Sequence, residues 1–97
     1  MPIKTTPFDI VEWLDSEETI QEYFRQVMQD GDAAEIAAAL GHIARARGMA
    51  QVARDAGLGG KSLYKALRPD AQPRFDTILK VTRALGLDLT VAPARAA

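Results

Sequence analysis

An all-α domain of five to six helices, closed by a short C-terminal strand, is predicted by three observations on this 97-residue sequence. Apolar residues recur at helical spacing along most of it. Cap residues, prolines and glycines bracket each such run. A period-two stretch, Leu87–Val91, follows the last of them and reads as a strand ended by Pro93. The length suits one domain over residues 1–97. Within it, residues 7–35 read as acidic helices and residues 36–91 as a core containing a helix-turn-helix.

Thr6-Pro7, an N-cap followed by proline at the first helical position, opens a short helix through about Leu14. Phe8, Val11 and Leu14 form its apolar face, and Trp13 reads as core. Asp15 with Glu18 signals the start of a second helix running to Asp30. Its stripe is Ile20, Tyr23, Phe24, Val27 and Met28, and Gly31 stops it. Asp32 with Glu35 starts a third, alanine-rich helix whose apolar line is Ile36, Leu40 and Ile43, ending at Gly48. Gly41 within it marks a close helix crossing. Two short helices follow, Met49–Ala56 and Lys61–Arg68, joined by a glycine turn and stopped by Pro69. Pro73 opens the last helix, whose inner face is Phe75, Ile78, Leu79, Thr82 and Leu85, and Gly86 stops it.

The two short helices have the form of a helix-turn-helix. Ala53 is small enough for the crossing, Gly57 suits the reversal, and Val52, Ala56, Leu58, Leu63 and Ala66 face inward. Outward on the second helix stand Lys61, Ser62, Tyr64, Lys65 and Arg68, all able to reach phosphates or base edges. Residues 45–68 hold six bases, Arg45 and Arg47 among them, against Asp55. Gln51, near the start of the first short helix, sits where backbone N–H groups receive phosphate. Double-stranded DNA is therefore the expected ligand of Gln51, Lys61, Ser62, Tyr64, Lys65, Arg68, Arg45 and Arg47.

The net charge of −1 conceals a partition. Residues 1–35 carry nine acids against Lys4 and Arg25, a net −7, whereas residues 36–97 carry ten bases against four acids, a net +6. Two surfaces with two kinds of partner are implied. The bland alternative is that the acidic face only keeps the chain soluble and repels DNA from the wrong side.

The stretch Ala39-Leu40-Gly41-His42-Ile43-Ala44-Arg45-Ala46-Arg47-Gly48-Met49, with Ser62–Leu67, Phe75–Val81 and Ala84–Leu87, resembles the HigA-like antidotes of bacterial addiction modules. Phe8-Asp9, Trp13–Ser16 and Tyr23-Phe24 agree with that family's acidic opening helices, so the resemblance spans residues 7–91. It implies a lambda-repressor-like domain with a Cro/repressor (XRE)-type helix-turn-helix. It further implies an antitoxin that neutralises a small basic RelE/HigB-like mRNA endonuclease and represses its own operon. Gly59, Gly60 and Lys61 stand where the family has a serine cap and an Arg-Glu pair, leaving Ser62 as the substitute cap. Glu12, Glu17, Glu18, Glu22 and Asp30 are the acids expected to face the toxin.

Leu87–Val91, pairing with its counterpart in a second copy, would make a homodimer whose recognition helices meet successive major grooves. The alternative is that Leu87 and Leu89 tuck under the last helix. Zero cysteines exclude disulfides and thiolate chemistry. The lone His42 lacks a catalytic or metal-spaced partner, so no enzyme activity, metal or cofactor is expected. No apolar run approaches the ~20 residues of a membrane span, and a cytoplasmic protein is expected. The runner-up function is a stand-alone helix-turn-helix regulator without a toxin.

Overall fold

The computed structural model describes residues 10–68 and 70–94 and contains six helices: α1 (Ile10–Trp13), α2 (Glu17–Asp30), α3 (Ala33–Arg47), α4 (Met49–Ala56), α5 (Gly60–Ala66) and α6 (Phe75–Ala84). Thr6, Pro7 and Pro69, expected to start and stop helices, and Phe8, expected on the apolar face of the first, lie outside the described residues. α3 is the spine: α1, α2, α4 and α6 all pack against it, and α5 packs on α4. Leu40 and Ile43 of α3, Leu63 of α5, and Val81, Thr82 and Leu85 at α6 are the largest wholly buried side chains.

Local chemistry sets the boundaries. α2 begins one residue later than expected, because Ser16 rather than Asp15 is the cap. The Ser16 hydroxyl accepts from the Thr19 amide and the Thr19 hydroxyl accepts from the Ser16 amide, both at 3.2 Å. α3 opens on the expected pair: Asp32 Oδ1 accepts from the Glu35 amide and Glu35 Oε1 from the Asp32 amide, each at 2.9 Å. α4 ends at Gly57, whose φ of 73° is left-handed, and the Leu58 amide reaches back to the Ala53 carbonyl. Gly41 is buried where a Cβ would stand 3.3 Å from the carbonyl of Leu67, so the close approach at Gly41 is to the C-cap residue just past α5 and not to another helix.

Several expectations are corrected. No strand forms among the described residues, and Leu87–Val91 is irregular. Gly86, at φ 78°, turns the chain so that the Leu87 amide donates to the Thr82 carbonyl, and Leu87 and Leu89 pack against the core. That local capping, with inward packing, takes the place of a ladder within one chain. Trp13 is 63% exposed and not core: α1 is one turn long, and the next residue, Leu14, fills the inward position. Phe75 is 69% exposed, since it starts α6 a turn short of the core that Ile78, Val81, Thr82 and Leu85 build. Met28, at the edge of the α2 stripe, is also exposed. α5 begins at Gly60 and ends at Ala66 rather than spanning Lys61–Arg68. Ser62 is therefore inside the helix and not its cap; that place falls to Gly59, which has no side chain to offer.

No described helix is long and apolar enough to cross a membrane.

Candidate nucleic-acid and protein-partner surfaces

The basic surface is built on α5. This helix has only seven residues, too few to persist alone, so tertiary packing must hold it. Leu63, wholly buried, and Leu67 anchor it. At about 100° per residue, burial of Leu63 turns Lys61 and Lys65 outward, with Ser62 on one flank and Tyr64 on the other, and Arg68 follows two residues beyond the helix end. All five are exposed, Tyr64 at 59%. Tyr64 and Arg68 share a shallow groove with Arg45, Met49 and Leu67, so Arg45 from the end of α3 joins the same surface.

Arg68 already has a partner. Its Nε and Nη2 donate to the two Asp70 oxygens at 3.3 and 3.1 Å, and these bonds hold the Asp70 carboxyl below its ordinary range. Gln51 is likewise engaged: its amide Nε2 donates to Asp55 at 2.8 Å and its Oε1 accepts from Arg54 at 2.6 Å. This chain of side chains along α4 brings Arg54, one of the six bases of residues 45–68 but not among the expected DNA contacts, beside Gln51. Its signal was visible, since Gln51, Arg54 and Asp55 stand three and four residues apart on a helix.

Arg47 is not brought to this surface. Its Nη2 donates to the Leu85 carbonyl at 3.0 Å, capping the end of α6, and Glu17 of α2 lies 4.0 Å away. The guanidinium thus ties α3 to α6 next to the acidic half. Sequence alone counted its charge without the direction in which the end of α3 aims it.

The acidic residues occupy several faces rather than one. Glu12 is exposed on α1. Glu18 and Glu22 point outward from α2, and Glu22 accepts from Arg25 and, at 2.9 Å, from Gln26. The Gln26 and Arg25 bonds lower the Glu22 carboxyl below its ordinary pKa. Glu17 lies on the flank facing Arg47, Leu85 and Leu87. Asp30 lies on the opposite flank, in an open groove between α2 and α3.

Two groups in that groove meet across it. Tyr23 Oη and His42 Nδ1 are 2.8 Å apart. Burial raises the Tyr23 phenol above its ordinary value, so it stays protonated near neutrality and can donate to the imidazole. His42 is thereby a structural tie between two helices. Among the described residues, no group of three or more His, Cys, Asp or Glu is placed to hold a metal ion.

Comparison with known proteins adds a family. A family model described as "Probable addiction module antidote protein" matches residues 4–93. A protein of Haemophilus influenzae (strain Rd), described only as uncharacterized, is 48% identical over 88 residues, covering 91% of both chains. No solved structure matches.

Proposed function

Since the chain belongs to the family of probable addiction module antidote proteins, we propose that it is the antitoxin of a type II toxin-antitoxin module. In this reading it neutralises a small basic toxin of the RelE/HigB mRNA-endonuclease kind and binds operator DNA to repress its own operon. One observation carries the reading beyond the family: the two charge signs sit on different helices, acids on α1 and α2, bases on the exposed stripe of α5 and beside it. A basic RNA-handling protein and a DNA backbone demand opposite surfaces, and one small chain supplies both.

The α4–α5 pair then acts as the helix-turn-helix. Lys61, Lys65 and Arg68 contact phosphates, Ser62 and Tyr64 reach base edges, and Arg45 supports them from α3. The chain has no catalysis of its own, works in the cytoplasm, and reads a two-fold operator as a homodimer. The residues after Gly86, with Val91 98% exposed, are the segment proposed to meet a second copy.

Co-expression with the product of the adjacent reading frame tests the proposal, followed by affinity pull-down, toxicity rescue and a gel shift on DNA upstream of the gene. A small basic partner that co-purifies and loses its toxicity supports the antitoxin. A gel shift without any such partner would replace it with a stand-alone regulator.

A further inference from the structure

We propose that Gly41 is a positioning residue for DNA reading. Having no Cβ, it lets the C-terminal end of α5 settle against α3, and so it sets where Tyr64 and Arg68 stand relative to Arg45. The inference rests on the operator-binding part of the reading above and adds to it a buried residue.

Glycine is out of place at this point by helical propensity. α3 is rich in alanine, the better helix former wherever a small side chain suffices. Gly48, Gly57 and Gly86 have positive φ, which accounts for them through backbone conformation. Gly41 is not among these, and what remains is space. A Cβ there would stand 3.3 Å from the Leu67 carbonyl oxygen and 3.7 Å from the Leu67 Cβ. The nearer atom is backbone and cannot rotate aside as the tip of a flexible side chain would. Nor is Leu67 loose: its side chain is buried, and its amide donates to the Leu63 carbonyl at 3.1 Å.

A methyl group at Gly41 must therefore move one element by a few tenths of an ångström. α3 is packed by α1, α2, α4 and α6, whereas α5 packs on α4, so α5 is the element that gives. Its C-terminal end carries the residues at stake. Tyr64 lies one turn before Leu67 and Arg68 lies next to it, and both line the shallow groove that Gly41 and Leu67 also line. Arg45, one turn along α3 from Gly41, lines the same groove from the other helix. The approach of Gly41 to Leu67 is thus the spacing between a cation on α3 and the phenol and cation carried by α5. Hydrogen bonds to base edges need distances and angles in a narrow range, whereas attraction to phosphates follows charge and tolerates small shifts. Moving the end of α5 removes discrimination between sequences and leaves non-specific binding in place.

Gly41→Ala tests this, with Arg47→Ala as the companion variant that loosens the α3–α6 tie without touching α5. Each full-length chain is titrated with a duplex carrying the DNA upstream of its gene and with a scrambled duplex of the same length and base composition. Circular dichroism confirms that each variant is folded at the assay temperature. Gly41→Ala should lose at least about threefold on the upstream duplex, while its affinity for the scrambled duplex and its salt slope stay at wild-type values. Arg47→Ala should keep both affinities. Wild-type binding of the upstream duplex by Gly41→Ala would overturn the assignment, and so would an equal loss on both duplexes. A loss in Arg47→Ala as large as in Gly41→Ala would overturn it too, since general loosening would then be what the DNA senses. Should the wild-type chain itself not prefer the upstream duplex, the operator reading fails first and takes this inference with it.

Discussion

Arg47→Ala separates a structural arginine from a DNA-contacting one. Arg47 belongs by charge to the basic cluster, yet its guanidinium is spent on the Leu85 carbonyl at 3.0 Å. A hydrogen bond from a charged donor contributes about 1.5–3 kcal/mol when shielded. The Arg47 side chain is 38% exposed and the neighbouring groove is open, so water can replace it at the carbonyl. The loss should therefore fall near or below the bottom of that range, at about 1 kcal/mol. Glu17, 78% exposed and 4.0 Å away, adds little to it. For a domain of this size, about 1 kcal/mol lowers the thermal midpoint by about 4–8 °C. The salt dependence of DNA binding should meanwhile stay unchanged, whereas Lys65→Ala should lower the slope of log K against log salt by about one. Thermal melts followed by circular dichroism, and binding titrations across salt, measure both quantities. The reasoning is refuted if Arg47→Ala melts within about 1 °C of wild type and loses a unit of salt slope.

Three further outcomes follow from local geometry. Gly57→Ala should destabilise by about 1–2 kcal/mol in urea titration, because φ is 73° while no atom stands within 4 Å of the new Cβ, so the cost is purely conformational. Gly59→Ser should stabilise by a few tenths of a kcal/mol, since the site is an extended, uncapped N-cap with only the Ser62 hydroxyl nearby at 3.9 Å; an unchanged urea midpoint would mean that no cap forms. Asp70→Asn should release Arg68 and tighten DNA binding by roughly threefold. The pH dependence of that effect has a definite sign. The folded-state pKa of Asp70 is depressed by Arg68, so the pair's stability is present above the ordinary carboxylate range and lost only as pH falls through the lower folded value. Between about pH 8 and 5 the wild-type pair stays closed, and the advantage of the Asn variant should stay constant in a binding titration over that span.

What was legible in the sequence is mostly punctuation with a chemical cause. Asp32 with Glu35 makes a reciprocal cap, and Gly48, Gly57 and Gly86 all take positive φ, so the starts and stops they mark were readable. Where two caps compete, composition could not choose. Asp15 and Ser16 are both good caps, and the Thr19 hydroxyl settled it by reaching back to the Ser16 amide. Burial was legible along helix centres and lost at ends: Trp13 and Phe75 lie at helix termini, where a stripe outruns the core it faces. The alternation Leu87–Leu89–Val91 describes two inward leucines and an exposed valine after a glycine cap, a pattern that period two shares with a strand. Of the candidate site, the outward stripe of α5 followed from helical period alone. Neither the diversion of Arg47 nor the groove at Asp30 did, because both depend on which helix lies across from α3.

In the proposed reading, the charge partition links the two partners of one molecule. The chain measures 38 × 37 × 26 Å; its acidic helices α1 and α2 pack on α3, whereas the basic α5 packs on α4. At physiological ionic strength the Debye length is about 8 Å, so DNA at α5 senses little of the acids on α2. At about 0.01 M salt it is about 30 Å, comparable with the molecule, and the acidic half then opposes DNA. A basic partner docked on that half cancels the opposing charge. Occupancy of the acidic side should accordingly strengthen DNA binding at low salt and lose that benefit as salt rises, even if partner and DNA never touch. Titrating DNA into the free chain and into its complex at both salt concentrations reads the difference. An enhancement of equal size at both would mean that partner and DNA are coupled by contact or by a shape change, and that the distance between charges is not what links them.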